Sequence, residues 1–83
     1  MFVRSSIELS KLLKNQRKKL NLTQKEVGER VGIKQKTISA LENNAENMKL
    51  NTLFRVLSAL ETEMNLIPHS NQIDHPSEWQ EEW

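Results

Sequence analysis

The 83-residue sequence contains no cysteine, which excludes disulfide staples and thiolate metal sites. It has no apolar run long enough to span a bilayer, and its opening stretch MFVRSSIELSKLL carries no signal-peptide core. A soluble, cytoplasmic protein is therefore expected. There is no phosphate-binding glycine loop, nucleophile elbow or zinc motif, so the enzyme reading is weak. His69 and His75 stand among scattered acids without the ligand cluster that a metal site requires, and no cofactor is expected. Lysine and arginine are missing from the last quarter of the chain. Residues 1–60 hold all 12 Lys and Arg against five acids, a net charge of +7, whereas residues 61–83 hold six acids and no Lys or Arg, a net charge of −6. A basic body suits a polyanion partner; the acidic end must serve something else or nothing.

What is present reads as a short run of helices. A single small domain is all that this length supports, with a thin core that can lean on oligomerisation. Ser5 and Glu8 have the spacing of a capping box, and Leu9, Leu12, Leu13 and Leu20 fall near one face, predicting a helix over 6–19. Its other face, Lys11, Lys14, Arg17, Lys18 and Lys19, reads as mostly solvated, with the residues near the helix end in reach of phosphate. Thr23 and Glu26 form a second capping box and open a helix over 24–31, in which Val27 and Val31 face inward. Gly28 lies inside that helix, where glycine costs about 1 kcal/mol against alanine; a close neighbouring helix is the expected reason. Gly32 ends the helix as a residue able to adopt positive φ, and Ile33 plugs the turn. A third helix is expected over 35–42 with Ile38 and Leu41 buried. A polar loop follows at 43–47, then a fourth helix over 50–60 whose Leu50, Leu53, Phe54, Leu57 and Leu60 read as a core stripe.

Beyond it, TEMNLI at 62–67 alternates polar and apolar until Pro68 stops the run. This predicts one short strand through Met64, Asn65, Leu66 and Ile67. A lone strand leaves its backbone unpaired, and pairing with the same strand of a second copy across a twofold axis is the economical solution. The alternative is an irregular extension packed on the core. Residues 69–83, HSNQIDHPSEWQEEW, have no apolar periodicity and are expected to be mobile in the free protein. Three regions follow: a DNA-binding domain at 1–61, a dimerisation strand at 62–68 and an acidic tail at 69–83.

The two helices around Gly32 carry the functional signal, because a helix-turn-helix lays its second helix in the DNA major groove. Lys34, Gln35, Lys36 and Ser39 line the leading edge of that helix. Glutamine can pair in bidentate fashion with adenine, and lysine can donate to guanine or phosphate. Gln24 lies at a helix N-terminus, where phosphate is met; Thr23, Lys25, Thr37 and Asn43 are further phosphate candidates. Any one of these alone would fit a solvated bundle, and their grouping after a glycine turn favours DNA. In the tail, Trp79 and Trp83 are the only tryptophans. Large rings outside a core add exposure without stability, and tryptophan is a favoured anchor in partner pockets.

The pattern Leu22-Thr23-Gln24, a small residue at 28, Gly32-Ile33, Gln35, Ile38-Ser39 and Leu41-Glu42-Asn43 resembles the phage-repressor-like, or Xre-type, helix-turn-helix family over residues 7–60. The resemblance implies an all-α domain of four or five helices, dimeric binding to a palindromic operator, and repression. Two positions depart from it: Gly28 stands where alanine is usual, and Lys34 stands where a capping Ser or Thr is frequent, at a cost of about 1 kcal/mol. The segment IKQKTISALEN at 33–43, the single strand and the acidic tail ending Glu82-Trp83 narrow the resemblance to HipB-type antitoxins. That family implies a type II toxin-antitoxin module. It implies a homodimeric repressor of its own operon, joined by one strand from each protomer, that also binds and neutralises a HipA-like Ser/Thr kinase toxin, single-chain or split. It also implies a toxin-docking role for Trp83, with Trp79 the weaker candidate. A stand-alone phage-type repressor without a toxin partner, and an interaction module that never touches DNA, are the rival readings.

Overall fold

In the computed structural model, residues 2–68 are described. They form four helices: α1 (Ser6–Lys19), α2 (Gln24–Val31), α3 (Gln35–Asn43) and α4 (Leu50–Ala59). Each boundary has a local cause. The Ser5 hydroxyl accepts from the Glu8 backbone N–H at 3.2 Å, so α1 begins where expected. The reciprocal half of that box is displaced by one residue, because the Glu8 carboxylate accepts from the Arg4 N–H at 2.6 Å rather than from Ser5. The second box is complete: Glu26 N–H donates to the Thr23 hydroxyl at 3.0 Å and Thr23 N–H to the Glu26 carboxylate at 2.8 Å. Lys34 opens α3 without a side-chain cap, as its chemistry dictates.

Three of the four helices, α1, α2 and α4, end at a left-handed residue, whereas α3 runs into extended Asn44. Gly32 terminates α2 with φ of 70°. Helices α1 and α4 end in the same doubly bonded motif: Leu22 N–H reaches the Arg17 carbonyl and Asn21 N–H that of Lys18, while Thr62 N–H reaches Leu57 and Glu61 N–H reaches Ser58. Asn21 and Glu61 occupy its left-handed position with φ of 57° and 55°.

Leu13, Val27, Ile38, Leu41, Leu53, Val56, Leu57, Ala59 and Leu60 form the buried core, flanked by half-buried Leu9, Leu12, Leu20, Leu22, Val31, Ile33 and Met48. The expectation for α4 needs correction. Leu53, Leu57 and Leu60 are buried as expected, but Leu50 is 69% exposed and Phe54 52%, and Val56 and Ala59 take their place in the core. Gly28 is also explained differently. The crowding comes from the turn rather than from another helix: a Cβ there would fall inside the Ile33 carbonyl oxygen, and Ile33 N–H already donates to the Gly28 carbonyl at 2.8 Å.

Side chains tie the helix ends together. Arg30 donates to the Ala59 carbonyl at the end of α4 at 3.1 Å, and Arg55 donates to the Val31 carbonyl at the end of α2. Gln16 reaches the Leu60 carbonyl at 3.2 Å. These bonds satisfy carbonyls that a helix terminus leaves without partners.

Residues 62–68 carry no helix and no strand. A strand registers only through a ladder, and this stretch has no partner strand among the described residues. Met64, Leu66 and Ile67 are exposed, which runs against the alternative that the extension packs on the core. The tail tryptophans and both histidines lie outside the described residues.

Candidate nucleic-acid interface

The turn from Gly32 to Lys34 presents α3 with one face inward and one outward. Ile38, Leu41 and Glu42 are buried, while Lys34, Gln35, Lys36, Thr37, Ala40 and Asn43 are exposed and Ser39 is half-buried. The spacing 38, 41, 42 is the inward stripe of a helix. Everything from Lys34 to Lys36 therefore projects at the N-terminal edge of α3, where a groove-inserted helix meets base edges. The structure brings all four base-reading candidates to one edge. Asn43 lies at the opposite end of α3, in its last turn.

An acid on the inward stripe requires a cation, and Arg17 supplies it. Its Nε donates to Glu42 Oε2 at 2.6 Å and its Nη2 to Oε1 at 3.1 Å. Its Nη1 takes the Leu22 carbonyl at 2.8 Å. The side chains are 13% and 4% exposed, respectively. The hydrogen bonds that the guanidinium donates to Glu42, and secondarily the carboxylate's charge, raise its pKa against the opposing effect of burial. Arg17 thus leaves the solvated face to which its place in the sequence assigned it. The pair joins α1 to α3 and neutralises the one carboxylate on the inward face of α3.

Gln24 belongs to the same network. Its Nε2 donates to Glu42 Oε1 at 3.2 Å. An amide nitrogen has two donors, so one N–H pins the side chain while the other stays available. The first backbone N–H groups of α2 have no intrahelical acceptor, and Thr23 and Lys25 are exposed beside them. The start of α2 thus presents the kind of N–H cluster and positive dipole end to which anions bind. Ser10 provides a second tether: its hydroxyl donates to the Leu41 carbonyl at 2.9 Å and accepts from Ala45 N–H at 2.9 Å, fixing the end of α3 to α1.

Sequence reasoning missed Arg17, Glu42 and Ser10 as parts of the site. Glu42 was findable, since it falls four residues after Ile38 on the apolar stripe. Arg17, 25 positions away, has no local signal that singles it out from its lysine neighbours.

This geometry defines a helix-turn-helix protein, with α2 and α3 as the paired helices and α3 presented outward. The family model described as Helix-turn-helix matches residues 13–67. Antitoxin HipB of Escherichia coli strain K12 is 39% identical over 80 residues, covering 95% of this chain and 91% of that protein. Among solved structures, a HipB-O4 20mer complex superposes with a TM-score of 0.80 at 37% identity, covering 84% of this chain and 99% of that one. A HipA-HipB-O2-O3 complex gives the same score, identity and coverage. The chain belongs to the HipB antitoxin family of Xre-type helix-turn-helix proteins. No helix among the described residues is long and apolar enough to cross a membrane.

Proposed function

We propose that this chain is the antitoxin of a type II toxin-antitoxin module: a homodimer that represses its own operon and neutralises a HipA-like Ser/Thr kinase. The observation that carries the reading is the outward edge of α3, free of acids from Lys34 to Leu41 and braced from behind by the Arg17–Glu42 pair. Lys34, Gln35, Lys36 and Ser39 read bases in the major groove. Thr23, Gln24, Lys25, Thr37 and Asn43 hold the flanking phosphates, which fix register without reading sequence. The relative's complexes with a 20mer and with HipA support both halves of the role.

Residues 1–61 form the DNA-binding domain. Residues 62–68 pair with their copy across a twofold axis, and an inverted-repeat operator follows from that symmetry. The exposed apolar side chains of Leu50, Phe54, Met64, Leu66 and Ile67 favour this interface, and Phe54 and Met64 line one shallow groove with Leu57. Trp83, with Trp79 in support, anchors the toxin. The chain acts by binding rather than by catalysis, in the cytoplasm.

The toxin half is tested by co-purification with a HipA-like kinase from the same source, using the full chain and a chain ending at Gln80. The full chain is expected to retain the kinase and the shortened one to lose most of it. Equal retention would remove Trp83 from the account. A full chain that retains no kinase would leave the stand-alone repressor as the function.

A further inference from the structure

A second groove, of about 550 Å³, runs along the C-terminal half of α1 between Leu12, Asn15, Gln16, Lys18 and Lys19. None of the residues assigned above to base reading, to the phosphates beside α2 and α3, or to the dimer strand lines it. Its floor is the half-buried Leu12, and its rim is the two exposed lysines. Neither lysine has an ion-pair partner among the described residues, where the pairs are those of Arg17 and Arg30. Lysines at a helix C-terminus complement the helix dipole, which accounts for the charge but not for the apolar floor between them.

The groove also lies where the chain leaves α4. Gln16, one of its walls, donates to the carbonyl of Leu60. The 15 residues that follow Pro68 can reach up to about 50 Å when extended, ample to return to α1. They carry Asp74, Glu78, Glu81 and Glu82, no Lys or Arg, and both tryptophans. An aromatic ring over Leu12 with carboxylates against lysines matches the groove; a bare phosphate backbone would leave its apolar floor unused. Rings also gain from nearby ammonium groups.

We propose that this groove docks the chain's own segment 78–83, EWQEEW, with a tryptophan ring on Leu12 and Glu81 and Glu82 against Lys18 and Lys19. Tethering gives the segment a millimolar effective concentration, so even a millimolar site is about half occupied. The docked tail is withheld from other partners, and whatever captures the tail must first release it, which lowers apparent affinity by the undocked fraction. The inference stands apart from the toxin, since the docking needs only this chain.

Because both tryptophans lie in residues 69–83, intrinsic emission of the intact protein reports the tail alone. At low salt, its acrylamide quenching constant is expected about midway between that of a free 69–83 peptide and full protection. The Lys18→Glu/Lys19→Glu variant should return it to the peptide value while keeping native helicity by circular dichroism. Adding Glu81→Lys/Glu82→Lys to that variant should restore protection. Three results would overturn the proposal. The first is peptide-like quenching in the unsubstituted chain. The second is protection that survives the lysine reversal, which places the rings on another surface. The third is protection lost on dilution, which assigns the tail to a second copy. If the lysine reversal weakens DNA binding with no change in emission, the groove serves phosphate instead.

Discussion

At the scale of single residues, Glu42 couples the stability of the fold to the α3 surface. A carboxylate on a buried stripe is stable only while Arg17 faces it, because removing one partner strands the other away from water. Glu42→Gln is expected to cost about 3 kcal/mol in urea unfolding, and to weaken operator binding further by loosening Gln24. Replacing both partners, Arg17→Met with Glu42→Leu, should recover most of the stability but not the binding. A double variant that binds as well as the parent would show that Gln24 needs no anchor. Glu26 makes a different prediction. The Thr23 N–H, and then its hydroxyl, hold its carboxyl below the ordinary range. A depressed pKa stabilises the fold above the unfolded value, and that contribution is lost as pH falls through the folded one. Melting temperature should therefore decline in acid through the carboxylate range, and Glu26→Gln should flatten that decline. An unchanged profile would mean the α2 cap contributes nothing through charge.

At the scale of elements, the chain announces its own boundaries. Thr23 with Glu26, and Gly32, act within a turn of themselves, so α2 begins and ends where local chemistry says. The same holds for the inward Ile38 and Leu41 of α3. What local chemistry could not reveal was partnership at a distance: Ser10 bridging Leu41 and Ala45, and Arg17 answering Glu42. Leu50 and Phe54 misled for a related reason, since an apolar stripe marks burial without saying whether the cover is this chain or its copy. The turns supply the next tests. Gly28→Ala gains helix propensity of about 1 kcal/mol but must push the Ile33 carbonyl outward, and overpacking of that kind costs about 1–3 kcal/mol. A net loss in melting temperature is expected, and a gain would mean the turn yields freely. Glu61→Gly should act the other way. It relieves a left-handed glutamate at φ 55° while giving up only an exposed pair with Arg30 at 3.6 Å. A gain of about 0.5–1 kcal/mol is expected.

At the scale of the whole molecule, the parts divide the charge and the surface between them. The basic body with its braced α3 faces nucleic acid. In the proposed function, the apolar residues left open on α4 and after it are assigned to a second copy and the acidic end to a protein partner. Leu66→Pro should remove a ladder hydrogen bond from the proposed pairing segment 62–68 and yield a monomer in sedimentation with the helices intact. A persistent dimer would move the interface elsewhere. The twofold then sets the spacing of the two α3 helices, and with it the demand for an inverted repeat. Each claim about regulation depends on α3 reading base edges, and one residue at its first turn tests that directly. The measurement is the affinity of the Gln35→Ala dimer for its own promoter beside an unrelated duplex at the same salt. The account predicts a loss of about 1–3 kcal/mol on the promoter with no change on the unrelated duplex. Equal affinity on the promoter before and after the substitution would contradict it.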